Sequence, residues 1–313
     1  MLQASDIKGI VPPTTTPLTD SDAVDREGVG RLMDWFVDSG CVGIFAIGSS
    51  GEGPSLTREM RYEMVDACAD ALGGRVPLLA GVSSPSFKES LLQAERVAEL
   101  GADAIVATCP YYFFYGQTQL IDYFEALAEA SALPLVIYDI PARSDNSLEV
   151  HTVLELSDNE RIIGVKDSTG NIERGVNIVN ALEGRDDFAI LQGSEQLMGI
   201  AALMGYHGAV MGMANASPKL FVALLEAGCE GDVRRTRELQ QIVNAAFPYF
   251  FAAEPGTRNI GSIVGAMKTA QELQGLISRR LLFPSRQITD EDASRIKVLL
   301  DPLAEAGWIE YAR

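Results

Sequence analysis

One lysine in this 313-residue chain stands where a lysine is hard to keep. The run Arg161-Ile162-Ile163-Gly164-Val165-Lys166 is short, apolar and rich in β-branched residues, the pattern of a buried parallel strand. Turn-forming residues follow at once in Asp167-Ser168-Thr169-Gly170. Lysine is seldom buried without a partner or a task. Poor hydration at the C-terminal end of a core strand favours the neutral amine, which attacks carbonyl carbons near neutral pH. A lysine that reaches back to solvent, or pairs with Asp167, has the same sequence pattern.

Other residues with chemical capacity end similar runs. Gly48-Ser49-Ser50-Gly51-Glu52-Gly53 offers backbone N–H groups and two hydroxyls to a carboxylate, although glycine-serine loops are also ordinary turn material. Its glycine spacing fits neither a nucleotide loop nor a dinucleotide fingerprint. Tyr138 closes an apolar run, either as a core aromatic or as a phenol that moves protons beside an amine. Arg143, five residues on, suits a second carboxylate or a surface ion pair. The aromatic cluster Tyr111-Tyr112-Phe113-Phe114-Tyr115 reads as packing or a subunit contact before it reads as catalysis.

The elements that must carry these residues alternate. Strand-like runs fall at 9–11, 42–47, 76–80, 104–107, 134–138, 162–166, 188–191 and 208–211, roughly 20 to 35 residues apart. Amphipathic helical patterns lie between them, as at 31–38, 58–72, 87–100 and 119–130. Alternation implies a parallel sheet covered by helices, and eight units favour a closed (β/α)8 TIM barrel over an open sheet. After Pro218 only helical patterns remain, near 232–250, 260–277 and 290–303. The expected organisation is an α/β catalytic barrel over 1–228 and a helical extension over 229–313 packed on it. Active groups of such a barrel come from the C-terminal strand ends. Here those ends supply Ser49, Ser50, Tyr138, Lys166, Gly193 and Glu195 together.

Composition narrows the partners. A formal net charge of −18 argues against nucleic acid and anionic membranes. No apolar run approaches the ~20 residues of a membrane span, and the N-terminus has no secretory pattern. Four scattered cysteines, Cys41, Cys68, Cys109 and Cys229, suit a reducing cytoplasm. The two histidines, His151 and His207, have no metal-ligand spacing, so no metal and no bound cofactor is expected.

Four motifs in order, Gly48-Ser-Ser-Gly-Glu52, Pro110-Tyr-Tyr112, Tyr138-Asp-Ile-Pro141 and Gly164-Val-Lys-Asp-Ser-Thr-Gly170, together resemble the dihydrodipicolinate synthase/N-acetylneuraminate lyase family of pyruvate-dependent Schiff-base aldolases. The resemblance runs from Gly9 to about Leu303. It implies a barrel with a helical tail, assembled as a homotetramer (a dimer of dimers). It implies an imine between Lys166 and the keto carbon of pyruvate, with no metal. Tyr138 would be the proton shuttle, and Gly48, Ser49 and Ser50 the carboxylate loop. Tyr112 matches the tyrosine that enters the neighbouring subunit's site and completes a relay with Ser49 and Tyr138. Gly193 and Val210 match positions lining the pyruvate pocket.

The resemblance leaves the aldehyde open. Arg143 falls where the synthases bind the carboxylate of aspartate semialdehyde. Ser49-Ser50 in place of Thr-Thr, Asp139 in place of Asn, Phe113-Phe114-Tyr115 after the tyrosine pair, and Lys-Asp-Ser-Thr-Gly all depart from the synthase pattern. Glu195 suits the hydroxyls of a sugar-acid chain, as acidic groups near this place do in the lyases, or simply the first turn of a helix. The departures favour a lyase acting on a 2-keto-3-deoxy sugar acid or a related hydroxylated 2-keto acid. The synthase is the alternative, and a non-catalytic keto-acid-binding regulator is a third reading. A phosphate or flavin enzyme on the same barrel is disfavoured, because Glu195 would repel phosphate.

Overall fold

The computed structural model describes residues 2–254 and 259–312. Seven strands form one parallel sheet in sequence order: β1 Ile44–Ala46, β2 Leu78–Gly81, β3 Ala104–Thr108, β4 Leu135–Asp139, β5 Ile162–Asp167, β6 Ala189–Gln192 and β7 Gly208–Ala209. The first expected strand, at 9–11, makes bridges instead of a ladder. Val11 donates to Ala209 O at 2.9 Å, Ala209 to Gly9 O at 2.8 Å and Phe45 to Pro12 O at 2.9 Å. Pro12 and Pro13 lack N–H donors, so regular pairing stops there. These bonds still join β7 to β1 and close the ring.

The helices between strands are α1 Arg26–Asp38, α2 Arg58–Leu72, α3 Phe87–Glu99, α4 Gln117–Ala130, the short α5 Pro141–Ser144, α6 Val150–Ser157, α7 Ile172–Ala181 and α8 Met198–Leu203. After the ring come α9 Pro218–Cys229, α10 Val233–Ala246, α11 Ile260–Leu273 and α12 Asp290–Glu305. Local chemistry sets their starts. Side chains of Asp25, Thr57, Ser86, Asn171, Asp232, Asn259 and Thr289 accept from backbone N–H groups of the first turns. Gly73, at φ +55°, ends α2 in the left-handed conformation that glycine adopts most cheaply.

Strand alternation sorts the core into two layers. Phe45, Leu79, Val106, Val136, Tyr138, Ile163, Leu191 and Val210 fill the barrel, with Ala4 and Ile7 packed against them. Their neighbours on the opposite face, such as Ile105, Ile137, Val165 and Ile190, belong to a second cluster that continues into α10, α11 and α12. Thr15 Oγ1 donates to Gln271 Oε1 at 2.6 Å, tying the residues after the first bridge to α11. No helix among the described residues is long and apolar enough to cross a membrane.

Candidate active site

Lys166 and Tyr138 stand opposite one another on β5 and β4. Both point into the barrel and each is 5% exposed. The Lys166 ammonium lies 4.0 Å from the centroid of the Tyr138 ring and 5.2 Å from that of Phe45. Phe45 packs edge-on against Tyr138, ring centroids 6.3 Å apart. Among the described residues no carboxylate forms an ion pair with Lys166. Its charge is met by aromatic faces, which attract a cation but take no proton from it.

Backbone chemistry explains how the loop after β1 reaches this place. Ile47 has φ +59°, a left-handed conformation that β-branched residues avoid. A Cβ on Gly53 or Gly81 would come within 2.4 or 2.5 Å of the Ile47 carbonyl oxygen, so glycine is required at both positions. The 48–53 turn then closes through Gly51 and Gly53 N–H groups donating to Gly48 O. Gly48 itself lies against the Phe45 ring, where a Cβ would approach to 2.7 Å. Ser49 and Ser50 are left half-buried at the strand ends.

A cavity of about 300 Å³ opens above the ring, with Phe45, Gly48, Ser49, Tyr138 and Arg143 on its wall. Arg143 is exposed and has no ion pair among the described residues. The extension contributes Ile260, Gly261, Val264 and Ser285 to the opposite side. Lys166 adjoins the cavity through Tyr138 and Phe45 and is not itself part of the wall.

Gly193, Val210 and Glu195 lie beside it rather than on it. A side chain at Gly193 would strike Ser168 Oγ at 1.9 Å, and Val210 is 3% exposed within the barrel interior. Glu195 stands in the first turn of the short helix Glu195–Leu197 that follows β6. Its carboxyl turns toward Gly212 and Met213, and Oε1 accepts from the Met213 N–H at 3.2 Å. Desolvation raises its pKa, opposed by those backbone amides and by the charge of Lys166. Tyr112 stands apart: it is 83% exposed at φ +85°, next to Phe113 at 63% and Phe114 at 79%.

Sequence reasoning missed several residues of the site. Tyr111 rather than Tyr112 reaches the cavity within one chain, and Thr108 joins it from the end of β3. Arg61 comes from α2, with Nη1 donating to Gln93 Oε1 at 3.0 Å and Nε buried without a partner. Thr108 directly follows the strand expected at 104–107 and was open to discovery. Arg61 carries no such signal. The motif glutamate, Glu52, is 6% exposed and bonds wholly buried Lys268 at 2.5 Å, with Oε1 accepting from Leu282 N–H at 3.1 Å.

Behind the strands, Asp139 is fully buried. Desolvation pushes its carboxyl up to about 6, opposed by Arg174 and the Leu148 N–H.

The chain is similar to known proteins in sequence and in shape. The dihydrodipicolinate synthetase family matches residues 6–302. A 4-hydroxy-tetrahydrodipicolinate synthase of Polynucleobacter asymbioticus is 33% identical over 252 residues, covering 80% of this chain and 82% of that protein. The solved dihydrodipicolinate synthase of Bacteroides thetaiotaomicron superimposes with a TM-score of 0.89 at 32% identity, covering 96% of this chain and 99% of that one. A prophage protein of E. coli K12 belonging to the dihydrodipicolinic acid synthase family, solved in complex with pyruvate, gives 0.87 at 29% identity, covering 95% and 98%.

Proposed function

The chain belongs to the dihydrodipicolinate synthetase family and is a pyruvate-dependent carbon–carbon lyase of the class I aldolase kind, and we propose that Lys166 is the residue that forms its imine. The observation that carries this reading is the pairing of Lys166 with Tyr138, buried side by side with no carboxylate bridged to the ammonium. In the cleavage direction of the proposed sequence the Lys166 amine attacks the C2 keto carbon of a 4-hydroxy-2-keto acid and forms a carbinolamine. Tyr138 passes the proton that lets the hydroxyl leave as water, giving an iminium. As the 4-hydroxyl gives up its proton and becomes the aldehyde carbonyl, the C3–C4 bond breaks and its electrons pass into the iminium. The enamine of pyruvate is left on Lys166, and a proton added at C3 turns that enamine into the pyruvate iminium. Run backwards, the enamine attacks the aldehyde and makes the bond. Hydrolysis of the iminium returns the free lysine.

In this reading Ser49, Ser50 and Gly48 hold the keto-acid carboxylate, with Ser49 relaying protons to Tyr138. Gly193 and Val210 shape the space around pyruvate. The exposed Tyr112, with Phe113 and Phe114, supports a subunit contact. We assign the assembly as a homotetramer, a dimer of dimers, in which Tyr112 enters the partner's site. All four cysteines are free, three of them buried, which supports a reducing, cytoplasmic setting.

For the aldehyde, the departures from the synthase motifs favour a 2-keto-3-deoxy sugar acid or a related hydroxylated 2-keto acid as the cleaved substrate. One observation favours the second reading, condensation of pyruvate with aspartate semialdehyde: Arg143 lines the cavity with no ion pair among the described residues, while Glu195 does not line it and accepts from the Met213 N–H. A coupled assay with aspartate semialdehyde, run beside a screen of hydroxyaldehydes with pyruvate, decides between them. Turnover confined to hydroxyaldehydes supports the sugar-acid reading. Turnover confined to aspartate semialdehyde overturns it.

A further inference from the structure

The faces of β4 and β5 turned away from the barrel interior carry a second pair. Asp139 and Asp167 are opposite one another in register, each the residue after its catalytic neighbour. Side chains alternate across a strand, so Tyr138 with Lys166 and Asp139 with Asp167 stand back to back. Like charges directly opposite destabilise a strand pair. Here both carboxylates are buried, at 0% and 2% exposure, where water does little to screen them.

Arg174 of α7 lies between them. Its Nη2 donates to Asp139 Oδ2 at 2.7 Å, and its Nη1 is 3.3 Å from Asp167 Oδ1. Nε and Nη2 both donate to Leu148 O, which fixes the plane of the guanidinium. Tyr206 and Thr169 donate to the two oxygens of Asp167, and the Leu148 N–H joins Arg174 at Asp139 Oδ2, so both carboxylates are fixed by further donors. The register of the β4–β5 ladder is irregular at its other end. It shifts between Leu135 and Val136, before the catalytic pair is reached.

We infer that Arg174 is a positioning residue: by bridging Asp139 and Asp167 it holds β4 against β5 in the register that places Tyr138 over Lys166. The inference rests on the imine reading of Lys166. A small slip or splay between the strands would separate the ring from the ammonium, and misplacement of about 1 Å at a reacting centre costs on the order of 100-fold in rate. The keto-acid carboxylate loop belongs to β1, on a different part of the ring, and depends on neither carboxylate.

The test measures kcat and KM for pyruvate in wild type, Arg174→Met, Arg174→Lys and Arg174→Met/Asp139→Asn, per folded protein, with borohydride trapping of the wild type in parallel. Arg174→Met is expected to lose at least about tenfold in kcat with KM within about threefold, because the chemical step is misaligned and binding is not. Arg174→Lys is expected to fall between, since an ammonium cannot span both carboxylates. Removing one repelling carboxylate in the double variant should recover most of the lost kcat. A merely structural role lowers the folded fraction and leaves both constants of the folded enzyme at wild-type values. That result, in Arg174→Met or in Arg174→Lys should the first not fold, overturns the inference, as does a rise in KM at constant kcat. Absence of a wild-type pyruvate adduct instead overturns the imine reading on which the inference stands.

Discussion

Two lysines are withdrawn from water in this molecule, and they are held in opposite ways. Lys268, in the interior of α11, is wholly buried; its ammonium is 2.5 Å from Glu52 Oε2 and 2.7 Å from Arg280 O. Burial lowers its pKa, and the carboxylate of Glu52 works against that. Its charge is answered. Lys166, at 5% exposure, meets two aromatic rings and no carboxylate bridge. A paired ammonium has donated its protons to fixed acceptors and is chemically quiet. An unpaired one beside a cavity can give up a proton and attack. Burial alone therefore does not distinguish the two lysines; the presence or absence of a bridging carboxylate does.

The two are also connected. Glu52 belongs to the loop that carries Ser49 and Ser50, so the Lys268 pair anchors the proposed carboxylate loop to the C-terminal extension. Ile260, Gly261 and Val264 from α11 also join the cavity wall.

The contrast breaks most directly at the two lysines themselves. Lys166→Ala is expected to reduce kcat by at least about 1,000-fold while folding normally, because a nucleophile has no substitute. Steady-state kinetics alongside urea denaturation checks both halves. Lys268→Ala is expected to behave the other way. It leaves Glu52 buried and unanswered, at a cost of about 3–5 kcal/mol of stability, with kcat of the folded enzyme much less affected. Lys268→Met combined with Glu52→Gln removes both charges and keeps an acceptor for the Leu282 N–H, so it should recover most of that loss. Equal destabilisation by the double variant and by Lys268→Ala would show that the pair is not the source of the effect.

A third buried charge sharpens the contrast through pH. Asp139, unlike Glu52, has an oxygen without a hydrogen-bond partner, and burial lifts its pKa to about 6 from the usual 3.8. The folded state then binds the proton more tightly than the unfolded chain. Its contribution to stability is fully present below about pH 4 and is lost as pH rises through about 6, by roughly 3 kcal/mol for two pKa units. Arg174, Asp167 and the Cys109 thiol are the charged and titratable groups facing it. Denaturation midpoints between pH 4 and 7 should show that slope, and Asp139→Asn should flatten it. A slope unchanged in Asp139→Asn assigns it to other carboxylates.

The smallest effect is expected at the rim. Arg143→Met should raise KM for the aldehyde-side substrate about tenfold, or ~1.4 kcal/mol, with KM for pyruvate unchanged. A matching rise for both substrates would place Arg143 in the pyruvate site instead.

Much of this site was legible in the sequence because strand ends are. Lys166 and Tyr138 each close a run of β-branched residues, and the turn after Ala46 announces itself with three glycines in six residues. The first strand misled for the same reason in reverse: its apolar run is genuine, but Pro12 and Pro13 cut the donors a ladder needs. Lys268 was illegible. A lysine on an amphipathic helix reads as solvent-facing, and its partner lies 216 residues away. Arg174 was hidden likewise, since the charge it answers exists only once β4 and β5 are paired. Glu195 was read to the C-terminal strand ends, while the backbone amide at Met213 from which its carboxyl accepts was invisible in sequence.

Borohydride reduction in the presence of pyruvate, followed by intact mass and peptide mapping, tests the central claim. A single pyruvate-derived adduct is expected on the peptide containing Lys166, none on the peptide containing Lys268, and none anywhere in Lys166→Ala. An adduct that persists in Lys166→Ala, or no adduct in the wild type with pyruvate or larger 2-keto acids, would contradict the assignment of Lys166 as the imine-forming residue.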